Sequence, residues 1–520
     1  MVKKKNELFA VISIGSHHIK LLIAEAGDEK NFTVIEKTKY PISLARESFS
    51  EGSISVPTVL EICSVLNKLR NLLKDYGVRY YDVIATSAIR EARNKLFIVD
   101  KIMLSTGMQV RILTNAEERY LTFKSIRKNY FLLEDFSSMS SLFLDLGSGS
   151  ISVSIYSKNK LTFSQNLNMG ALRLYEATSE LEKENANYPS LLEEFTSSNI
   201  DRIINFGPHK KIMRFFIFGS NARFVSKICR AEKLYPKMAS IAKDNFLEAF
   251  EAVRFMTKAE TQKNFSLSDE EVHLFLPALV IVKGFLDLTV SEELYIPEIS
   301  LREGLLYNMM EEHFNPEARK TDDDDILSSA RHIAKRFKYD RIHSLQVEKF
   351  ALQIFDAIKT QHFMGNRERL LLQLACILHD TGKFLSYENH YAYSADLIMA
   401  LDLVGVSEND LRIVAGCARY HSHITPKSNS RFFKNFSEKD QIISAKLIAI
   451  IRLADSLDRS HKCKFSKIEV ASGKNTLKIT GYAAEDTTLE QWIFKKKALY
   501  FAEVFGVCPE LQIKGLLNYE

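Results

Sequence analysis

The residues best suited to chemistry follow short apolar runs, where a folded chain leaves a strand and exposes its backbone. Gly15 and Ser16 come after residues 8–14, and Gly147, Ser148, Gly149 and Ser150 come after residues 141–146. A glycine at such a junction lets backbone N–H groups approach a phosphate, and the serine hydroxyls add donors; either turn alone reads equally well as an ordinary tight turn. Gly219 and Ser220 repeat the arrangement after residues 214–218. Asp145 ends its run beside the second glycine turn, a position from which a carboxylate can hold Mg²⁺ against bound phosphates. Arg90 and Arg93 lie in residues 86–94, where hydroxyls and guanidinium groups directly follow a strand. A guanidinium fork gives one phosphate two hydrogen bonds. Glu117 and Glu118 stand at a predicted helix start, where paired acids favour the helix dipole; in a phosphate cleft one of them could instead orient a water as general base.

A second constellation lies in the last third of the chain: His343, the dipeptide His379-Asp380, and Asp455. Histidine with carboxylate is the ligand set of a hydrolytic divalent metal. A lone histidine in a helix is ordinarily structural, but four such groups in one helical region favour a metal. Lys383 could neutralise a substrate phosphate, and His390 and His421 could serve a second metal or the same anion.

These groups need a scaffold, and the chain is long enough to supply one. With 520 residues, 46% hydrophobic and 26% charged, it has room for about three domains and is neither disordered nor collagenous. No run of about 18 uncharged apolar residues suggests a membrane span, and the N-terminus lacks the apolar segment of a secretory leader. Six scattered cysteines without a C-x-x-C pair fit a reducing cytoplasm. The net charge is +5, and residues 326–520 carry 28 basic against 21 acidic groups. That excess suits a polyanion or a solvated face; no concentrated stripe points to specific nucleic-acid binding.

Residues 8–14, 19–24 and 32–36 read as a strand meander, 56–76 as a helix and 82–86 as a buried strand. The pattern restarts at 141–146 and 151–156, a weak repeat that predicts a duplicated α/β domain with a cleft between the halves. Residues 277–310 read as mostly helical, interrupted at 294–296. Residues 311–325 are polar, contain Pro316 and end in four aspartates. They read as a linker, with Asp322 to Asp325 starting a helix rather than forming a calcium loop. Helix follows helix over 326–451, and a hairpin around Gly473 and a helix over 489–505 close the chain.

Residues 9–24 (FAVISIGSHHIKLLIA), 85–94 (ATSAIREARN), 113–119 (LTNAEER), 144–150 (LDLGSGS) and 301–306 (LREGLL) resemble, in order and spacing, the exopolyphosphatase and guanosine pentaphosphate phosphohydrolase (Ppx/GppA) family. The resemblance implies a two-lobed actin-like, sugar-kinase-like fold, with lobes over 1–132 and 133–310. It also implies a cleft that grips inorganic polyphosphate or guanosine penta- or tetraphosphate with Mg²⁺. By position, Glu118 matches the family's catalytic base, Asp145 its cleft aspartate and Arg90 its phosphate-side arginine; Gly15–Ser16 and Gly147–Ser150 match its two phosphate loops. The chain departs from the family at Ser13 and Ser152, where the loops usually carry acids.

The strings ILHDTGKFLS and IRLADSLDRSH resemble the HD-domain phosphohydrolases and the C-terminal module of long family members. They imply an all-α HD domain over 326–465, able to hold a divalent metal such as Mn²⁺, then a small α+β segment over 466–520. Long members also imply a homodimer. Three functions remain in view: a phosphoanhydride hydrolase centred on Glu118, a nucleotide phosphohydrolase centred on the HD metal, and a polyphosphate or alarmone sensor without turnover. For the last, the serines at 13 and 152 are the support.

Overall fold

The computed structural model describes residues 6–515 apart from 131–138, 159, 185–186, 205–210, 230–231, 236–237, 316–319, 427–431, 433–435 and 474. The chain divides into two compact units, Met1–Asp322 and Asp323–Glu520.

The first unit is built on two sheets whose strands follow one plan. In the first sheet β1 (Glu7–Ile14), β2 (His18–Ala26) and β3 (Thr33–Pro41) form an antiparallel meander, and β4 (Tyr80–Ala85) and β5 (Val110–Ile112) extend it in parallel beyond β1. In the second, β6 (Ser141–Leu146), β7 (Ile151–Ser157) and β8 (Lys160–Leu167) repeat the meander. There β9 (Arg214–Phe218) runs parallel to β6 and β12 (Glu293–Pro297) parallel to β9. Strands β10 (Glu232–Tyr235) and β11 (Met238–Ala242) complete that edge. The weak repeat in the sequence is thus a duplicated sheet, and its two glycine turns occupy equivalent hairpins.

Both faces of β1 are covered, which is why the strand reads as a continuous apolar run. Ala10, Ile12 and Ile14 pack with Ile62, Leu66 and Leu69 of the helix Val56–Asp75. Phe9 and Val11 face Leu305, Leu306 and Met310 of the helix Leu301–Phe314. That helix, placed by its position in the chain with the second lobe, returns to the first. It crosses the helix Asn115–Tyr130 so closely that a side-chain carbon on Gly304 would collide with the Leu121 carbonyl. The expected lobe boundary at 132/133 lies outside the described residues.

The segment read as a linker is largely helical. Leu301–Phe314 runs through its first four residues and Lys320–Arg336 begins before the aspartates. The two units divide within this segment, but its first residues are packed: Glu311 is buried between Lys124 and Lys128 (2.8 Å to the latter), and His313 packs at a tilt against Tyr80 with centroids 4.5 Å apart.

In the second unit the helices Lys320–Arg336, Arg341–Ala357, Asn366–Leu378, His390–Met399, Glu408–Tyr420 and Glu438–Ser456 precede a three-stranded sheet. Its strands are β13 (Phe465–Ser472), β14 (Thr476–Ala483) and, after the helix Thr488–Phe505, β15 (Cys508–Gly515), which lies parallel to β14. Residues 466–515 are not a separate body: Ile468, Leu477, Phe494 and Phe501 share one core with Val347, Phe350, Leu374 and Leu447.

Candidate active sites

Three strand-to-turn junctions of the first unit meet. His17 Nε2, beyond Gly15 and Ser16, lies 3.4 Å from Ser148 Oγ, and Asn221 Nδ2, beyond Gly219 and Ser220, donates to the same oxygen at 3.3 Å. The amides of Gly15 and Gly147 are already used inside their own turns, donating to His18 O at 3.0 Å and Ser150 O at 3.2 Å. The two glycine amides are therefore engaged within the protein. Gly219 has φ +96°, and a side-chain carbon there would collide with Asp145 Oδ1, so only glycine lets this turn close on the carboxylate.

Glu117 and Glu118 divide the two meanings of an acid at a helix start. Glu117 caps the helix, accepting from Thr114 N and Thr114 Oγ1, both at 2.9 Å. Glu118 pairs instead with Arg90, whose Nη1 also donates to Leu113 O at 2.8 Å. Burial raises the Glu118 carboxyl while Arg90 opposes the shift. Burial and then the Glu118 charge push Asp145 up to about 7. The Asp145 carboxyl therefore feels the charge of Glu118. Arg93 is elsewhere: its guanidinium donates to the carbonyls of Glu51 (2.9 Å) and Gly52 (3.3 Å), fastening the turn Glu47–Glu51. A side-chain carbon on Gly149 would strike the Phe49 ring of that turn. Glu91 pairs with Arg173, so this side of the junction is held by an ion pair.

The two departures from the resemblance have new partners. Ser13 Oγ receives Arg302 Nη1 at 3.3 Å, and Ser152 Oγ donates to Asn166 Oδ1 at 2.9 Å. Ser13 pairs in register with Lys20 as Asp145 does with Ser152. Burial, then Arg302, Lys39 and Arg223, pull Lys20 down to about 8.

The second unit brings the four expected ligands together, and beside them His390 and His421, expected as groups for a second metal or the same anion. His343 opens its helix under the cap Asp340, His379 and Asp380 end the helix Asn366–Leu378, and Asp455 occupies the last turn of Glu438–Ser456. His343 Nε2 lies 3.4 Å from both His379 Nε2 and Asp455 Oδ1, and 3.8 Å from Asp380 Oδ2. Asp380 Oδ1 turns the other way, 3.5 Å from Nε2 of both His390 and His421. Each imidazole is oriented through its other nitrogen, His343 by Asp458 at 2.8 Å and His379 by Cys376 O at 2.9 Å. Burial drives His379 down to about 3, so it is a neutral ligand. This donor set, imidazole nitrogens with a carboxylate between two groups, fits divalent metal ions.

Lysines hold the acids: Lys497 pairs with Asp455, and Lys383 Nζ reaches Asp380 Oδ2 at 2.5 Å. Asp458 follows Asp455 at a three-residue interval, but nothing in the sequence pointed to Lys497. His17 and Asn221 were equally unexpected, though each directly follows a glycine-serine pair.

A duplicated meander, with a glycine turn closing on Asp145, is the two-lobed plan of the actin-like fold. Residues 22–313 match the Ppx/GppA phosphatase family, and residues 327–497 match domain III of the same phosphatases. The chain belongs to the Ppx/GppA phosphatase family, a family of enzymes.

It is 21% identical to the guanosine-5'-triphosphate,3'-diphosphate pyrophosphatase of Pseudoalteromonas translucida, over 87% of each chain. It is 28% identical to exopolyphosphatase 1 of Mycobacterium tuberculosis over 32% of this chain and 46% of that one. Among solved structures, an exopolyphosphatase from Cytophaga hutchinsonii shares its fold over 59% of this chain and 98% of that one, at 18% identity and a TM-score of 0.50. No described helix is long and apolar enough to cross a membrane.

Proposed function

We propose that the first unit hydrolyses the terminal phosphoanhydride of inorganic polyphosphate or of guanosine pentaphosphate. The observation that carries this reading is the meeting of three phosphate-type turns, one of them closing on the half-buried Asp145, whose carboxyl feels the charge of Glu118. Turns 15–17, 147–150 and 219–221 hold the phosphate chain through amides and hydroxyls. Glu118, kept in place by Arg90, takes a proton from the attacking water. The water oxygen bonds to the terminal phosphorus, the P–O bond to the next phosphate breaks, and the released chain end departs as an oxyanion. Asp145 would hold Mg²⁺, which needs only one or two carboxylates besides substrate phosphates and would supply countercharge to those oxygens when bound. Replacing Glu118→Gln should cut phosphate release by at least a hundredfold while polyphosphate still binds; retained turnover would remove Glu118 from the mechanism.

A second reading concerns the helices of the second unit, which we read as an HD-type, metal-dependent phosphohydrolase. The six convergent ligands favour it. There a water attacks a phosphate ester, the P–O ester bond breaks and the water's proton ends on the leaving oxygen. His343, His379, Asp380 and Asp455 would hold one Mn²⁺-like ion, and Asp380, His390 and His421 a second, each polarising the phosphate.

A further inference from the structure

The helix Lys95–Thr106 of the first unit is apolar on both its inner and its outer side. Its inner stripe, Ile98 and Ile102, is buried in the core that also holds Ile62 and Leu66 of the helix Val56–Asp75. A helix that is apolar all round is ordinarily buried all round. Here the outer stripe stands in water: Leu96, Phe97 and Leu104 are 73%, 78% and 77% exposed, and Met103 is half exposed. Val56–Asp75 runs alongside in the same direction, with Asn67 Nδ2 donating to Ser105 O (3.4 Å) and Arg70 Nη1 to Thr106 O (2.6 Å). Val56 and Leu60, exposed as well, share a stripe with Cys63 and Asn67 on that helix and so extend the patch. Six apolar side chains this open leave about 800 Å² in water, more than the roughly 300–600 Å² of a typical monomer's largest patch and close to the ~800 Å² each partner of a stable pair buries.

The stripe is also its own complement. Residues equally far before and after Asp100 match, Leu96 with Leu104 and Phe97 with Met103. A second copy turned about a two-fold axis at Asp100 therefore sets leucine against leucine and an aromatic ring against a thioether. The same axis gathers the Asp100 carboxylates and the neighbouring Lys101 ammonium groups of both copies into a cluster without net charge. We propose that the chain pairs with a second copy of itself through this face, the helices Lys95–Thr106 lying antiparallel across an axis at Asp100. A lipid surface fits the face poorly, because it would press the central Asp100 against acyl chains, whereas a second copy brings Lys101 to it.

The test is sedimentation equilibrium of the whole chain, with melting curves to show that each surface variant folds. The wild type is expected to be a dimer with a dissociation constant in the micromolar range or below, as interfaces of this size have. Leu104→Glu should weaken it at least a hundredfold. Asp100→Lys makes the central cluster all ammonium and Lys101→Asp makes it all carboxylate, so each alone should dimerise at least tenfold more weakly. Mixed in equal amounts, those two variants should form a mixed dimer at least as tight as the wild type, a rescue that a merely structural role of either residue does not produce. A wild type that stays monomeric at about 100 µM overturns the proposal, and vesicle binding lost in Leu104→Glu would then give the face to lipid. A dimer unaffected by Leu104→Glu, or a mixture that stays monomeric, overturns it equally.

Discussion

Asp145 and Asp380 are both carboxylates at the end of a secondary-structure element, the first half-buried and the second buried, yet their surroundings drive them in opposite directions. Asp145 faces another acid, and its carboxyl is pushed up to about 7 by burial and then by Glu118. Asp380 is the more buried, but His379 and His421 and then Lys383 hold it well below the usual range against that burial. Burial alone therefore does not decide the role of an acid; the sign of its neighbours does. An acid beside an acid can exchange a proton near neutrality, whereas an acid among imidazoles and ammonium groups stays ionised as a ligand.

The sharpest way to break this contrast is to remove the shared ligand. Asp380→Ala should abolish metal binding at both groups, since its two oxygens serve both. Metal content after dialysis against Mn²⁺ would fall to the background of the first unit, while phosphate release from polyphosphate stays within about twofold. Retained metal would show that Asp380 is only structural.

In the first unit the corresponding lesion is steric. Gly219→Ala places a carbon on Asp145 Oδ1 at a left-handed backbone, costing about 1–3 kcal/mol. A lower melting temperature, together with a loss of phosphate release, is the expected outcome; an unshifted melting curve would refute the close approach.

Ser13→Asp restores an acid beside Arg302 and Lys20. It should lower the Mg²⁺ concentration for half-maximal phosphate release by about tenfold, ~1.4 kcal/mol. An unchanged Mg²⁺ requirement would mean the family's acid at this position is not what this cleft lacks.

The mildest effect is on pH. With Asp145 near 7, its ionised form is lost as pH falls through neutrality, so kcat/KM at low Mg²⁺ should drop on the acid side with a midpoint near pH 7. Higher Mg²⁺, which binds only the ionised form, should move that midpoint lower. A flat profile between pH 6 and 8 would separate Asp145 from the chemistry.

Much of this was legible in the sequence, and the reasons are local. A glycine after an apolar run marks a strand end whatever the tertiary context, so 15–16, 147–150 and 219–220 were found. His379-Asp380 ends a helix with clear periodicity, which placed the cluster of candidate ligands. What escaped depends on long-range partners. Arg93 has the right type and spacing for phosphate but is captured by the carbonyls of Glu51 and Gly52. The charges of 311–314 looked solvated, whereas Lys124 and Lys128 neutralise Glu311 inside a helix interface. Lys497 lies 42 residues from Asp455, too far for any motif to connect them.

That last pairing has a consequence for how the protein tolerates shortening. Lys497 comes from the helix Thr488–Phe505, beyond the hairpin, and its ammonium group is the counterion of a carboxylate deep among the ligands. A chain ended by a stop codon or a protease before residue 488 would remove the ammonium group paired with Asp455 and leave a buried carboxylate to Arg452 and His343, which costs stability. The tail is thus a clasp on the ligand cluster while no cation occupies it, and nicking it should loosen the cluster most when divalent metal is absent.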